Sequence, residues 1–218
     1  MSYAISLALD GAISNYGELI THLRDMADDA GYSRDAIDGA VRKAEAFFNR
    51  ELRVPEMEKV AALAVSSATT PLPADFLALR SIFATNEPCH RLRSMSPAAM
   101  MASYRMQSGR PMAYAIEGRQ LRVAPFATSD LTLLYYAAIP ALTDSQPSNW
   151  LLDAHADLYV AGAMYHMARR ERDAEGQAQA AQEVGEIIAS INQAGLKARW
   201  GAAPLTPTGL SQTRGATI

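Results

Sequence analysis

Strand-like alternation replaces helical spacing in one long stretch of this 218-residue chain, from Pro71 to Thr143. Pro71 and Pro73 fix φ and offer no ladder donor, so the chain enters this stretch extended. Phe76 to Phe83 then reads as a strand of large apolar residues. Gly109-Arg110-Pro111 breaks the middle and feeds Met112 to Ile116, which alternates in size. Glu117-Gly118-Arg119-Gln120 is a hairpin turn by composition, with Gly118 able to supply positive φ. Its return arm, Leu121 to Pro125, puts Leu121 and Val123 on one side and Arg122 on the other. Leu131 to Ile139 is the last strand, closed by Pro140. The stretch predicts a compact antiparallel unit held between two helical ends.

The flanks carry helical periodicity. Ser14 or Asn15 can cap a helix with Leu19, Ile20 and Leu23 inward and Gly31 as its stop. Ser33 caps a second, with Ile37, Val41, Ala44 and Phe48 inward, ended at Val54-Pro55. So short a link predicts an antiparallel hairpin. Glu56 to Val65 is ambiguous: its alanines favour helix, whereas Val60, Leu63 and Val65 suit a strand. Ser66 to Thr70 reads as loop. Ser96 and Pro97 open a short helix to Tyr104. Ser148 caps a third long helix, Asn149 to about Arg172, and Asp173 starts a fourth that Gly195 stops. Trp150, in the first turn after the Pro147 break, is expected to be buried. The predicted class is α+β: mainly a helical bundle of two hairpins, with an inserted small antiparallel β unit and an extended C-terminal arm. Its divisions are an N-terminal arm (1–13), the bundle (14–55 and 148–195), the β unit (56–147) and the tail (196–218).

Composition removes several classes. No run of eighteen apolar residues marks a transmembrane helix, and Met1 to Asp10 lacks the basic start of a signal peptide. A single cysteine, Cys89, precludes an internal disulfide and suits a reducing cytosol. A net charge of −3 argues against general nucleic-acid affinity. Charge is unevenly placed, however. Acids exceed bases in residues 1–70 and 144–194, while arginines exceed acids in 71–143 and bases alone occur after 195.

No catalytic, cofactor-binding or metal-binding constellation is visible. His155 and His166 fall three turns apart on the predicted third helix, without a His-Glu-x-x-His arrangement. Cys89 and His90 are adjacent, so a strand points their side chains apart. No phosphate loop follows Gly109. Arg91, Arg93, Arg110, Arg119 and Arg122 could line a polyanion surface, yet no aromatic residues interleave them. After Gly195 no period fits. Leu196 to Ile218 reads either as a disordered terminus or as an extended arm that orders on a partner, anchored by Trp200 and Leu205. Fully extended, it would reach on the order of 75 Å.

Several of these motifs recur in a fixed order: Ala46-Phe47-Phe48-Asn49-Arg50-Glu51-Leu52, Leu72-Pro73-Ala74-Asp75-Phe76, Gly109-Arg110-Pro111, Gly118 to Pro125, Tyr135-Tyr136 running to Ile139-Pro140-Ala141-Leu142, and Asn149-Trp150-Leu151-Leu152. In that order and spacing, over roughly Ser33 to Ala194, the chain resembles bacteriophage head–tail adaptor (connector) proteins of the virion neck. The resemblance favours the strand reading of Glu56 to Val65. It implies a structural protein, not an enzyme, without cofactors or membrane contact, assembled in the host cytoplasm. It further implies a homo-oligomeric ring, commonly of twelve copies, beneath the portal protein, with DNA passing through the channel without sequence-specific binding. The β unit would face the downstream tail or neck component. The C-terminal arm would grip the portal through Lys197, Arg199, Trp200, Leu205, Leu210 and Arg214. The reading from another class is an α+β hydrolase or ligand-binding domain whose site residues are too scattered to see.

Overall fold

Asn15 caps the first helix, α1 (Tyr16–Met26): its side-chain oxygen accepts from the Glu18 N–H at 2.9 Å. Ser33 caps α2 (Arg34–Glu51) in the same way through the Ala36 N–H. Each cap satisfies a donor that the first helical turn leaves orphaned. The computed structural model describes residues 13–27, 32–105 and 107–200. The expected N-terminal arm, apart from Ile13, and the Gly31 stop lie outside them.

Leu52 leaves the helical region, and a 3₁₀ turn at Pro55–Met57 leads into β1 (Glu58–Val65). There follow β2 (Thr69–Pro71), β3 (Phe76–Ala84), β4 (Glu87–Arg91), β5 (Arg93–Ser94), α3 (Pro97–Tyr104), β6 (Ala113–Glu117), β7 (Gln120–Ala124) and β8 (Ser129–Ala137). One sheet has the order β1-β8-β3-β4, the other β2-β7-β6-β5. Leu131, Leu133, Tyr135 and Ala137 alternate inward along β8. Their cross-strand partners Leu63, Ala61 and Ile82 share that face, since paired residues point the same way. Leu72, Leu121 and Val123 of the second sheet and its approach complete this core. Gly118 turns the β6–β7 hairpin at φ 62°.

Asn149 caps α4 (Trp150–Ala154), followed by α5 (Ala156–Glu171) and α6 (Ala174–Trp200). α5 packs between α2 and α6. Phe48 and Tyr159 meet edge to face at 5.4 Å, and a Cβ on Gly162 would stand 2.6 Å from the Phe48 ring. Glycine is required there for α2 and α5 to approach so closely.

Four expectations need correction. The molecule is not mainly a helical bundle: of the described residues 48% are helical, the 3₁₀ turn included, and 26% are in strand, in two four-stranded sheets. The β part is larger than expected because Thr69-Thr70, read as loop, pairs with β7, while β1 is the strand that the resemblance favours for Glu56 to Val65. Of the β1 alanines, Ala61 packs on the sheet core opposite Leu133, while Ala62 and Ala64 pair with Thr132 and Asp130. Nor is the β part wholly antiparallel, since β5 pairs parallel with β6. Second, Gly195 does not stop the last helix and the arm does not begin at Leu196. Gly195 is buried, where a Cβ would meet Val54 at 3.0 Å, and the helix continues to Trp200. Third, the third helix is interrupted at His155 (φ −144°, ψ 60°), and its cap is Asn149 rather than Ser148. Fourth, Trp150 packs on the core only partly buried.

Candidate interaction surface

The end of α6 closes onto the start of β1. Arg199 donates to the Glu58 carboxylate and, at 2.9 Å, to the Tyr136 hydroxyl; Arg80 donates to the other Glu58 oxygen. The Glu58 and Arg199 side chains are only 15% and 16% exposed. Both Arg199 and Arg53 stand 5.9 Å from the Tyr136 ring centre. Two turns earlier, Asn192 accepts from the Arg53 N–H at 3.1 Å and donates to the Glu51 carbonyl at 3.2 Å. One carboxylate shared by two guanidinium groups and shielded from water makes a strong clamp between the helical body and the first sheet. Beside it, Val60 (69% exposed) and Leu196 (52%) are bare apolar side chains.

A second network ties the segment after β8 to the helical body. Asn49 accepts from the Ile139 N–H at 2.9 Å, and Glu45 from the Leu142 N–H at 2.8 Å. Asn149 donates to the Pro140 carbonyl and to the Tyr159 hydroxyl, while its oxygen accepts from Leu152 N–H. Burial raises the Glu45 pKa, opposed by the Leu142 N–H, the Tyr159 hydroxyl and Arg42. Burial likewise raises the Tyr159 pKa. These groups satisfy backbone that would otherwise be buried without partners. The arrangement is a structural one.

A cleft of ≈ 290 Å³ opens between α2 and α5, with Lys43, His166, Arg170 and Asp35 around a floor that includes Ala40 and Met167. The His166 pKa is lowered by burial and then by Lys43, Arg169 and Arg50. None of these four cations forms an ion pair among the described residues.

The residues singled out in the sequence are dispersed by the fold. Lys197 is exposed on α6, Arg199 is in the clamp, and Trp200 ends the helix. Leu205, Leu210 and Arg214 lie outside the described residues. Among the arginines considered for polyanions, Arg110 pairs with Glu87, Arg122 with Glu117, and Arg119 donates to the Pro73 and Ala74 carbonyls. Arg91 and Arg93 remain exposed. His155 sits at the helix break and His166 in the cleft, so no shared helical face joins them. Among the described residues no group of three or more His, Cys, Asp or Glu could hold a metal, and no helix is long and apolar enough to cross a membrane. Sequence reasoning missed the clamp, whose halves lie 141 positions apart, and the cationic cleft, hidden within segments of net negative charge.

No curated protein matches the chain. A family model described as SU10 adaptor protein matches residues 14–208, which takes in both helical flanks, both sheets and the clamp. The chain therefore belongs to the SU10 adaptor protein family, phage adaptor proteins with a structural role.

Proposed function

We propose that this protein is a head–tail adaptor in the neck of a tailed phage or phage-derived particle. Copies of it, twelve by the family resemblance, form a ring below the portal protein and leave a channel through which DNA passes without sequence-specific contacts. The observation that carries this reading is the family match over nearly the whole folded chain. The clamp is consistent with it, because a protein that joins two machines transmits load between its halves. Arg199 and Glu58 hold the helical body to the β unit at one nearly dry point. In this reading the β unit faces the next tail or neck component, and the chain beyond Trp200, with Leu205, Leu210 and Arg214, reaches the portal.

Truncation provides the test, and its position matters. Removal of everything after Gly195 would also delete Arg199 and damage the clamp. Truncation after Trp200 keeps the clamp and removes only the terminal segment. The shortened chain is expected to stay folded and to lose stable attachment to portal. Full portal affinity in that variant would remove the segment from the portal contact, and failure of the intact chain to bind portal at all would overturn the adaptor reading.

A further inference from the structure

The charge pattern of the folded helical body differs from the pattern along the chain. α5 is the middle helix, with α2 on one side and α6 on the other. Its α2 side holds the cleft, where Lys43 and Arg170 stand at the rim with His166 and Asp35, and Arg169 and Arg50 lie close enough to depress the histidine. Its α6 side has the opposite sign. There Glu183 is raised by burial and by the nearby carboxylates Asp157 and Glu186, and none of the three has an ion-pair partner among the described residues. Gln182 donates to Glu186 at 2.9 Å, and the Leu158 N–H to Asp157.

We propose that the cationic α2–α5 cleft of one subunit docks against the acidic Asp157–Glu183–Glu186 flank of a second copy of this chain. Two complementary but different surfaces on one molecule make a heterologous contact, which propagates from copy to copy and closes if the rotation allows. Like charges without an ion-pair partner among the described residues repel within each subunit and attract across the contact, so complementarity sets both register and partner. Among the described residues Asp35 is the one acid in the cleft wall. It limits the net positive charge there and favours a pair of carboxylates over a long polyanion. The cleft floor gives the contact apolar area beneath its charged rim. The inference rests on the ring reading above and names the surfaces that would build the ring.

Charge reversal tests it on the full chain, with native mass measured for the free protein and for its complex with portal. Lys43→Glu with Arg170→Glu, or Glu183→Lys with Glu186→Lys, is expected to weaken copy-to-copy association about tenfold or more. All four changes together are expected to restore it, and the two single-surface variants, once mixed, should associate with each other. Association of the unaltered chain should weaken as salt rises past the point where charges are screened. Circular dichroism of each variant separates lost association from lost folding, and Lys43→Gln with Arg170→Gln should give a smaller loss. Rings that form normally with either surface reversed would overturn the contact and leave the ring reading standing. So would loss of portal or DNA binding, with rings intact, in the cleft variant, which would assign the cleft to that other partner. Absence of any ring for the unaltered chain, free or on portal, would instead defeat the ring reading itself.

Discussion

In the helical body one buried cluster runs from Tyr16 through Phe48 and Tyr159 to Ile191. In the β unit the buried side chains fall into two smaller clusters, one between the sheets around Leu121, Leu131 and Leu133, the other under α3 around Met100 and Ala113. The polar groups differ as well. The body admits Glu45 and Asn149 to its interior, each with hydrogen bonds to backbone. The β unit keeps its carboxylates at the margins in pairs: Glu58 with Arg80, Asp75 with Lys59, Glu117 with Arg122. One region is secured by close approach at its centre, the other by its edges, and one edge is held by an arginine from the body. The terminal helix is therefore part of how the β unit is held.

The largest effect should come from the centre of the body. Phe48→Ala removes a fully buried ring against Tyr159 and Gly162 and is expected to cost about 3–5 kcal/mol in urea unfolding. If the two regions unfold as one unit, Leu133→Ala in the sheet core should shift the same single transition. Two transitions, only one of them moved by Leu133→Ala, would break the unity that the clamp implies. Gly162→Ala should follow, at about 1–3 kcal/mol, because the new methyl must displace Phe48 or Ala44. An unchanged unfolding midpoint would show that α2 and α5 have room to spare.

Much of this contrast was legible in the sequence, but unequally. Asn15, Ser33 and Ser96 cap helices where their side-chain chemistry puts them, and Gly118 turns its hairpin. These are local signals, readable within four residues. The alternation of β8 was readable for the same reason. Gly195 misled because glycine ends helices by default, whereas here it is needed for contact with Val54 and Pro55, more than a hundred residues away in the chain. The break at His155 carries no proline or glycine to announce it. The clamp was invisible for a plainer reason: Arg199 and Glu58 are ordinary surface residue types until the fold brings them together. Long-range pairing also explains why the cleft was missed, since residues 1–70 and 144–194 are each acidic while their facing turns are not.

The clamp gives the next smaller effect. Arg199→Ala leaves Glu58 with Arg80 still attached, so the loss should be about 1–3 kcal/mol. The exposed neighbour Lys197→Ala should stay within about 0.5 kcal/mol of the parent. Equal losses for the two would mean that the last turn of α6 acts only through helix length. Hydrogen exchange along β1 and β8 in Arg199→Ala should rise more than in α2. A uniform rise would deny that the arginine serves the β unit in particular.

The smallest effect concerns the buried carboxyl. Burial raises the folded pKa of Glu45, so the folded state holds more protons than the unfolded one from the ordinary carboxylate value upward. Its contribution is therefore most favourable at low pH and is lost as pH rises through that window. Glu45→Gln keeps an acceptor for the Leu142 N–H and removes the titration. It should flatten the pH dependence of stability by no more than about 1.4 kcal/mol per pH unit. An identical slope in the variant would place the titrating group elsewhere.

The central claim, that the chain is an adaptor working as a ring on a portal, is most directly tested by native mass spectrometry of the full-length protein mixed with its portal. The account predicts one complex carrying a closed ring of this chain, twelve copies by the family resemblance, that loses attachment when the chain is truncated after Trp200. A chain that remains monomeric beside an unoccupied portal would contradict it.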